Sequence, residues 1–104
     1  MADSTVVEWA PFELAPGADA AQFLAASQAL QSEFLSRQTG FIRRELLKGG
    51  DNRWVDLVYW QNEAAAQRAM QNVASSSACQ RYFQLMANAD GASVALFFRL
   101  QSYA

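Results

Sequence analysis

Arg44 and Asp56 are the two residues of this chain whose types and spacing most suggest joint chemistry. They lie on two consecutive β-like runs, Phe41 to Lys48 and Trp54 to Trp60, around Gly49-Gly50-Asp51-Asn52, which reads as a hairpin turn. If both side chains share one face of that hairpin, opposite or diagonal, they pair. An odd shift would set Glu45 against Asp56, like charges facing at a cost, so the first register is expected. Asp56 then stands on an apolar face between Trp54 and Trp60, where an unpaired charge is expensive. One reading is a satisfied structural ion pair, the commoner arrangement. The other is a site, with Asp56 as general base or polar anchor in a cavity and Arg44 orienting a substrate oxyanion.

Trp9, Trp54 and Trp60 could line a pocket for a flat aromatic ligand, and the same rings also suit core and dimer packing. Trp60, just before a helix, is expected to lie under it. The hydroxyl of Tyr82, like those of Tyr59 and Tyr103, could hold a phenolic substrate, or simply reach water from a packed ring. Cys79 follows Ser75-Ser76-Ser77 near a helix start, where the dipole would lower its pKa. With no histidine and no second cysteine beside it, it reads as a buried small hydrophobe. Arg99 interrupts an apolar run, and either a sheet edge or the cavity would suit it.

The count of 0 histidines removes the commonest general base, haem ligand and zinc ligand. Ser-His-Asp and Cys-His catalysis are excluded, and a second copy cannot supply what it also lacks. A single cysteine forbids an internal disulfide and fits a reducing compartment. Gly49-Gly50 lacks the lysine and spacing of a phosphate loop, and no metal site or cofactor is expected. The net charge of −2, with Arg43-Arg44 the one adjacent basic pair, argues against nucleic acid. No apolar run reaches membrane-spanning length and Met1-Ala2-Asp3-Ser4 is no signal peptide, so no membrane partner and a cytoplasmic location are expected.

The elements that must position these residues follow from periodicity. The 104 residues read as one domain, 1–104, without linker or repeat. Val6 to Leu14 is the first strand, with a bulge or interruption expected at Pro11. Asp19 caps a helix, with Gln22 in the capping-box position and Phe23, Ala26, Leu30 and Phe34 as its stripe; Thr39-Gly40 closes it. After the hairpin, Asn62 caps a second helix with Ala66, Ala69, Met70 and Val73 on one side. The serine run breaks it, and it resumes with Cys79, Tyr82, Phe83 and Met86 inward. Asp90-Gly91 is a turn and Val94 to Tyr103 the last strand.

The order βαββαβ is the α+β, ferredoxin-like arrangement, with both helices on one face of a four-stranded antiparallel sheet. The other face is expected to be polar in a monomer, yet Val55, Leu57 and Tyr59 alternate with Trp54, Val58 and Trp60. Hydrophobic residues make up 52% of so small a chain, and charged residues only 17%. The surplus points to a homodimer built through the bare sheet face, with a ligand cavity as the second destination.

The stretch Gly40-Phe41-Ile42-Arg43-Arg44-Glu45-Leu46-Leu47, then Trp54-Val55-Asp56-Leu57-Val58-Tyr59-Trp60 and Asn62-Glu63-Ala64-Ala65, resembles the antibiotic biosynthesis monooxygenase-like proteins, which are dimeric α+β barrels. The resemblance implies one of two activities. The first is cofactor-independent oxidation of polycyclic phenols or quinols, in which the substrate anion itself reduces oxygen. The pocket would then draw on Trp54, Trp60, Asp56 and Arg44. The second is haem degradation, which in that branch uses an Asn on the first strand and a Trp and a His on the second helix. This chain has none of the three there, so the first is expected. A non-catalytic dimer that holds a small ligand, or serves as a scaffold, is the alternative.

Overall fold

The computed structural model describes residues 4–88 and 93–104. Strand β1 covers Val6–Leu14 and helix α1 Ala20–Glu33. The hairpin is β2, Phe41–Lys48, and β3, Arg53–Trp60. Helices α2, Glu63–Asn72, and α3, Ser77–Gln84, follow, then short strands β4, Met86–Ala87, and β5, Ala95–Phe98. The sheet order is β2-β3-β1-β4, with β5 also on β1, so β4 and β5 are two pieces of one edge strand. This is the expected ferredoxin-like α+β fold.

Local chemistry sets most boundaries. The Asp19 carboxylate accepts from the Ala21 N–H at 3.4 Å and starts α1. The helix ends at Glu33, earlier than expected, and a 3-10 turn, Leu35–Arg37, carries the chain onward. Ser32 and Ser36 bond back to the carbonyls of Gln28 and Ser32, and Gln38 Nε2 donates to the Phe34 carbonyl. Such side-chain bonds compete with the helix ladder. Gly40 then makes the bend into β2 with φ +86°, and a Cβ there would meet the Ala65 Cβ at 2.5 Å. Asn62 Oδ1 caps α2 through the Ala65 N–H at 2.8 Å, and Ser76 Oγ caps α3 through the Cys79 N–H at 3.2 Å. The serine run breaks the helix, as expected.

In the β2–β3 turn the left-handed residues are Asp51 (φ 54°) and Asn52 (φ 62°), not the glycines. Short polar side chains tolerate that region. Asn52 Nδ2 also donates to the Leu14 carbonyl at 3.1 Å, tying the turn to β1.

The register between β1 and β3 runs unbroken from Val6↔Trp60 to Glu13↔Arg53, so Pro11 makes no bulge on that side. On the other side β5 pairs as far as Trp9↔Ala95 and β4 resumes at Glu13↔Ala87. Pro11, with no N–H to give, lies in the gap. The expected final strand, Val94 to Tyr103, is accordingly shorter. β1 begins at Val6, so beyond Phe98 strand pairing gives way to Arg99, whose N–H donates to the Thr5 carbonyl at 3.0 Å and whose Nη2 donates to Thr5 Oγ1 at 3.3 Å. Met86, expected on a helix, is in β4. The expected Asp90-Gly91 turn lies outside the described residues. A register irregularity does occur in β2, between Phe41 and Arg43.

Even-numbered residues of β1 and β3 face the helices. Val6, Trp54, Val58 and Trp60 pack there with Phe23, Ala66, Cys79 and Tyr82. Among the described residues no helix covers the odd-numbered face, which exposes Trp9 (41%) and Phe97 (56%) beside the Arg43–Glu45 pair of β2. No helix among the described residues is long and apolar enough to cross a membrane.

Candidate functional site: a cleft between sheet and helices

Arg44 sits opposite Val58, and Asp56 opposite Leu46, so the two reach each other along the diagonal. Arg44 Nε donates to Asp56 Oδ1 at 2.8 Å, with both side chains buried. The second carboxylate oxygen, Oδ2, accepts from the Tyr82 hydroxyl of α3 at 2.6 Å. Arg44 Nη2 donates to that same hydroxyl at 2.9 Å, and Nη1 to the Ser27 carbonyl of α1 at 3.2 Å. Sheet and both helical segments are thus joined by one closed network.

Its electrostatics follow from burial and mutual charge. Burial alone would lower the Arg44 pKa, but Asp56 and Tyr82 beside it outweigh this and leave it raised. Burial pushes the Tyr82 pKa far up, and the Asp56 charge adds to it, so the hydroxyl keeps its proton. Arg44 commits three of its five N–H groups, which leaves donors for a ligand. Both Asp56 oxygens are occupied.

An open cleft of about 1300 Å³ runs between this sheet face and the helices. Its lining includes Arg44, Asp56, Tyr82, Trp54 and Trp60, so five sequence-derived candidates converge there. Trp9 borders the cleft too, but the register puts its side chain on the opposite face, level with Leu57 and Ala95. The structure therefore separates it from the others, because strand parity, not proximity in sequence, decides the face. At one end Trp54 stacks on Phe12 and meets the edge of Phe23, which in turn stacks on Tyr82. Trp54 Nε1 is buried with no hydrogen-bond partner, an unusual state for a buried donor.

Glu8 completes the lining, and sequence reading passed over it. It shares the inward parity of Val6 and Phe12, and its Oε1 accepts from Trp60 Nε1 at 3.1 Å. A lone carboxylate on the apolar parity of β1 was the available signal. Burial raises its pKa, the Trp60 bond opposes that, and the Asp56 charge adds to the rise. Cys79 is buried as expected of a small hydrophobe, and burial raises its pKa, against the helix-dipole lowering; the Ser76 hydroxyl partly offsets the rise. Among the described residues no group of His, Cys, Asp and Glu could hold a metal ion.

A ferredoxin-like α+β domain with an aromatic, polar-walled cleft between sheet and helices is the class this architecture defines. The family description "Antibiotic biosynthesis monooxygenase" matches residues 5–84, and the chain belongs to that family. Among solved structures, SnoaB, a cofactor-independent oxygenase from Streptomyces nogalater, is similar at 24% identity, TM-score 0.75, covering 95% of this chain and 96% of that one. A heme-degrading protein from Mycobacterium tuberculosis is similar at 20% identity and TM-score 0.60, covering 96% of this chain and 99% of that one. A conserved protein from Methanosarcina mazei follows at 13% identity and TM-score 0.66, covering 96% and 95%. At these identities the likeness speaks for the fold alone. No curated protein matches the chain.

Proposed function

We propose that the protein is a cofactor-independent monooxygenase that binds a flat phenol, anthrone or quinol in the cleft and lets oxygen attack its ionised form. The observation that carries this reading is the pairing of an aromatic cavity with spare donors on a buried cation: Trp54 and Trp60 for the ring, and Arg44, braced by Asp56 and Tyr82, for the oxyanion. Donors aimed where negative charge develops act strongly in a dry site. Family membership and the similarity to a cofactor-independent oxygenase support the same chemistry. The haem-degrading neighbour is a weaker guide, since the chain has no histidine to ligate haem iron.

In this reading Asp56 is a positioning residue. Its two oxygens hold Arg44 and Tyr82 in place, which is what a preorganised anion site requires. The unpartnered Trp54 N–H supplies a donor for a substrate carbonyl. The apolar outer sheet face is covered by a second copy, giving a homodimer in which Trp9 and Phe97 are interface residues rather than cleft residues. The single, buried cysteine suits the cytoplasm.

An oxygen electrode tests the reading with anthrone- and quinol-type compounds. Uptake above the protein-free rate, without added metal or cofactor, is expected. Absence of uptake, together with tight quenching of tryptophan fluorescence by the same compounds, would leave a binding module instead.

A further inference from the structure

We propose that Glu8 is the catalytic residue that takes the proton from the bound substrate, an assignment that rests on the monooxygenase reading and extends it. Two carboxylates face the helices across neighbouring strands, and their surroundings give them different work. Asp56 is neutralised by Arg44 and has both oxygens engaged. Glu8 has one bond, from Trp60 Nε1 to Oε1, and Oε2 has no protein partner among the described residues. Of these two cleft-lining carboxylates, only Glu8 keeps an oxygen without a protein hydrogen bond among the described residues.

The groups around it favour that role. No cation pairs with Glu8 among the described residues. Its strand neighbours are Val58 on β3 and Leu96 on β5, neither of which titrates. Asp56 on β3, Arg44 on β2, and Cys79 and Tyr82 on α3 line the same cleft, as do Glu13 on β1, Asp51 in the β2–β3 turn and Arg53 on β3, while its α1 and α2 lining (Leu30, Ala69, Met70) carries no titratable group. Burial, and Asp56 behind it, raise the Glu8 pKa and so make it a stronger base than a solvated glutamate. The buried Trp60 indole fixes the carboxyl group so that Oε2 points away from its bond.

The step balances simply. A C–H bond of the substrate's CH2 group breaks, the proton goes to Glu8 Oε2, and the electron pair stays on the ring system beside Arg44 and Tyr82. Molecular oxygen takes electrons from that anion and bonds to the same carbon, giving a peroxide anion, which takes the proton back from Glu8 to become a hydroperoxide. The remaining hydrogen on that carbon then leaves as a proton while the O–O bond breaks, so that proton and hydroxide depart as water and the retained oxygen becomes the quinone carbonyl.

The test separates proton removal from oxygenation. 1,8-Dihydroxyanthrone is mixed anaerobically with wild type and with Glu8→Gln, whose amide keeps an acceptor for Trp60, and the visible absorbance of its anion is followed. Wild type is expected to ionise the bound anthrone near neutral pH and Glu8→Gln to leave it neutral. On admitting air, the variant's turnover should fall by about 100-fold or more. Anion formation by the variant at the wild-type level overturns the assignment, and so does a wild type that never ionises the compound at any pH. In wild type alone, ionisation must rise with pH along a single titration. A midpoint unmoved from that of the free anthrone likewise overturns it. If the anion forms but no oxygen is consumed, Glu8 stands and the monooxygenase reading falls.

Discussion

Asp56 and Arg44 are diagonal neighbours on the hairpin, joined at 2.8 Å, and the Tyr82 hydroxyl closes the triangle from α3 at 2.6 and 2.9 Å. A buried charge pair of this kind is worth little in net stability. Removing one partner is a different matter, because the other charge is then left uncompensated. The triangle therefore reads as a device that holds donors in place, and its members should fail in distinct ways.

Asp56→Asn should lower the unfolding free energy by about 3–5 kcal/mol, since Arg44 loses its counter-charge in a buried position. The double variant Arg44→Met, Asp56→Leu should recover most of that stability and no oxygen uptake. Urea denaturation of both proteins checks this. Equal losses in the single and double variants would contradict the pairing argument.

Trp54→Phe should fold at least as stably as wild type, because it removes a buried donor that has no partner. Quinone binding, measured by the quenching of the remaining tryptophans, should weaken by about tenfold, the loss of roughly one hydrogen bond. Unchanged affinity would mean that the indole N–H meets no ligand.

Tyr82 sets the behaviour at high pH. Its folded pKa lies above the ordinary value of 10.0, so folding favours the protonated hydroxyl. Stability from this source is complete below pH 10 and declines above it, because only the unfolded chain releases the proton readily. Ultraviolet difference absorbance should show the Tyr82 phenolate appearing together with loss of the helical circular dichroism signal. Tyr82→Phe should flatten that decline.

Trp9→Lys places a charge on the bare outer sheet face, at a residue already 41% exposed in the single chain. Sedimentation should show a dimer for wild type at micromolar concentration and a monomer for the variant, with the far-ultraviolet spectrum unchanged. A wild-type monomer would remove the second copy from that face.

Much of this was legible beforehand because it depends on local or cross-strand rules. The 41–60 hairpin fixes which face Arg44 and Asp56 share, and that alternation needs nothing beyond the turn. Asn62 and the serine run act on their own backbone, so the caps of α2 and α3 could be read directly. Tyr82 could not be tied to Asp56 in this way, since that contact depends on how α3 docks 26 residues further along the chain. Trp9, offered as a cleft residue on its aromaticity and not its parity, borders the cleft with its register on the outer face. The same oversight hid Glu8, one position earlier and facing inward. That β4 and β5 both pair with β1, one on either side of Pro11, could be read only from the paired structure.

The most direct measurement is turnover of an anthrone under ¹⁸O₂, with mass analysis of the product and the water. One labelled atom in the quinone and the other in water is the expected result, without metal or added cofactor. A quinone carrying no label, or a protein that binds the anthrone and returns it unoxidised, would contradict it.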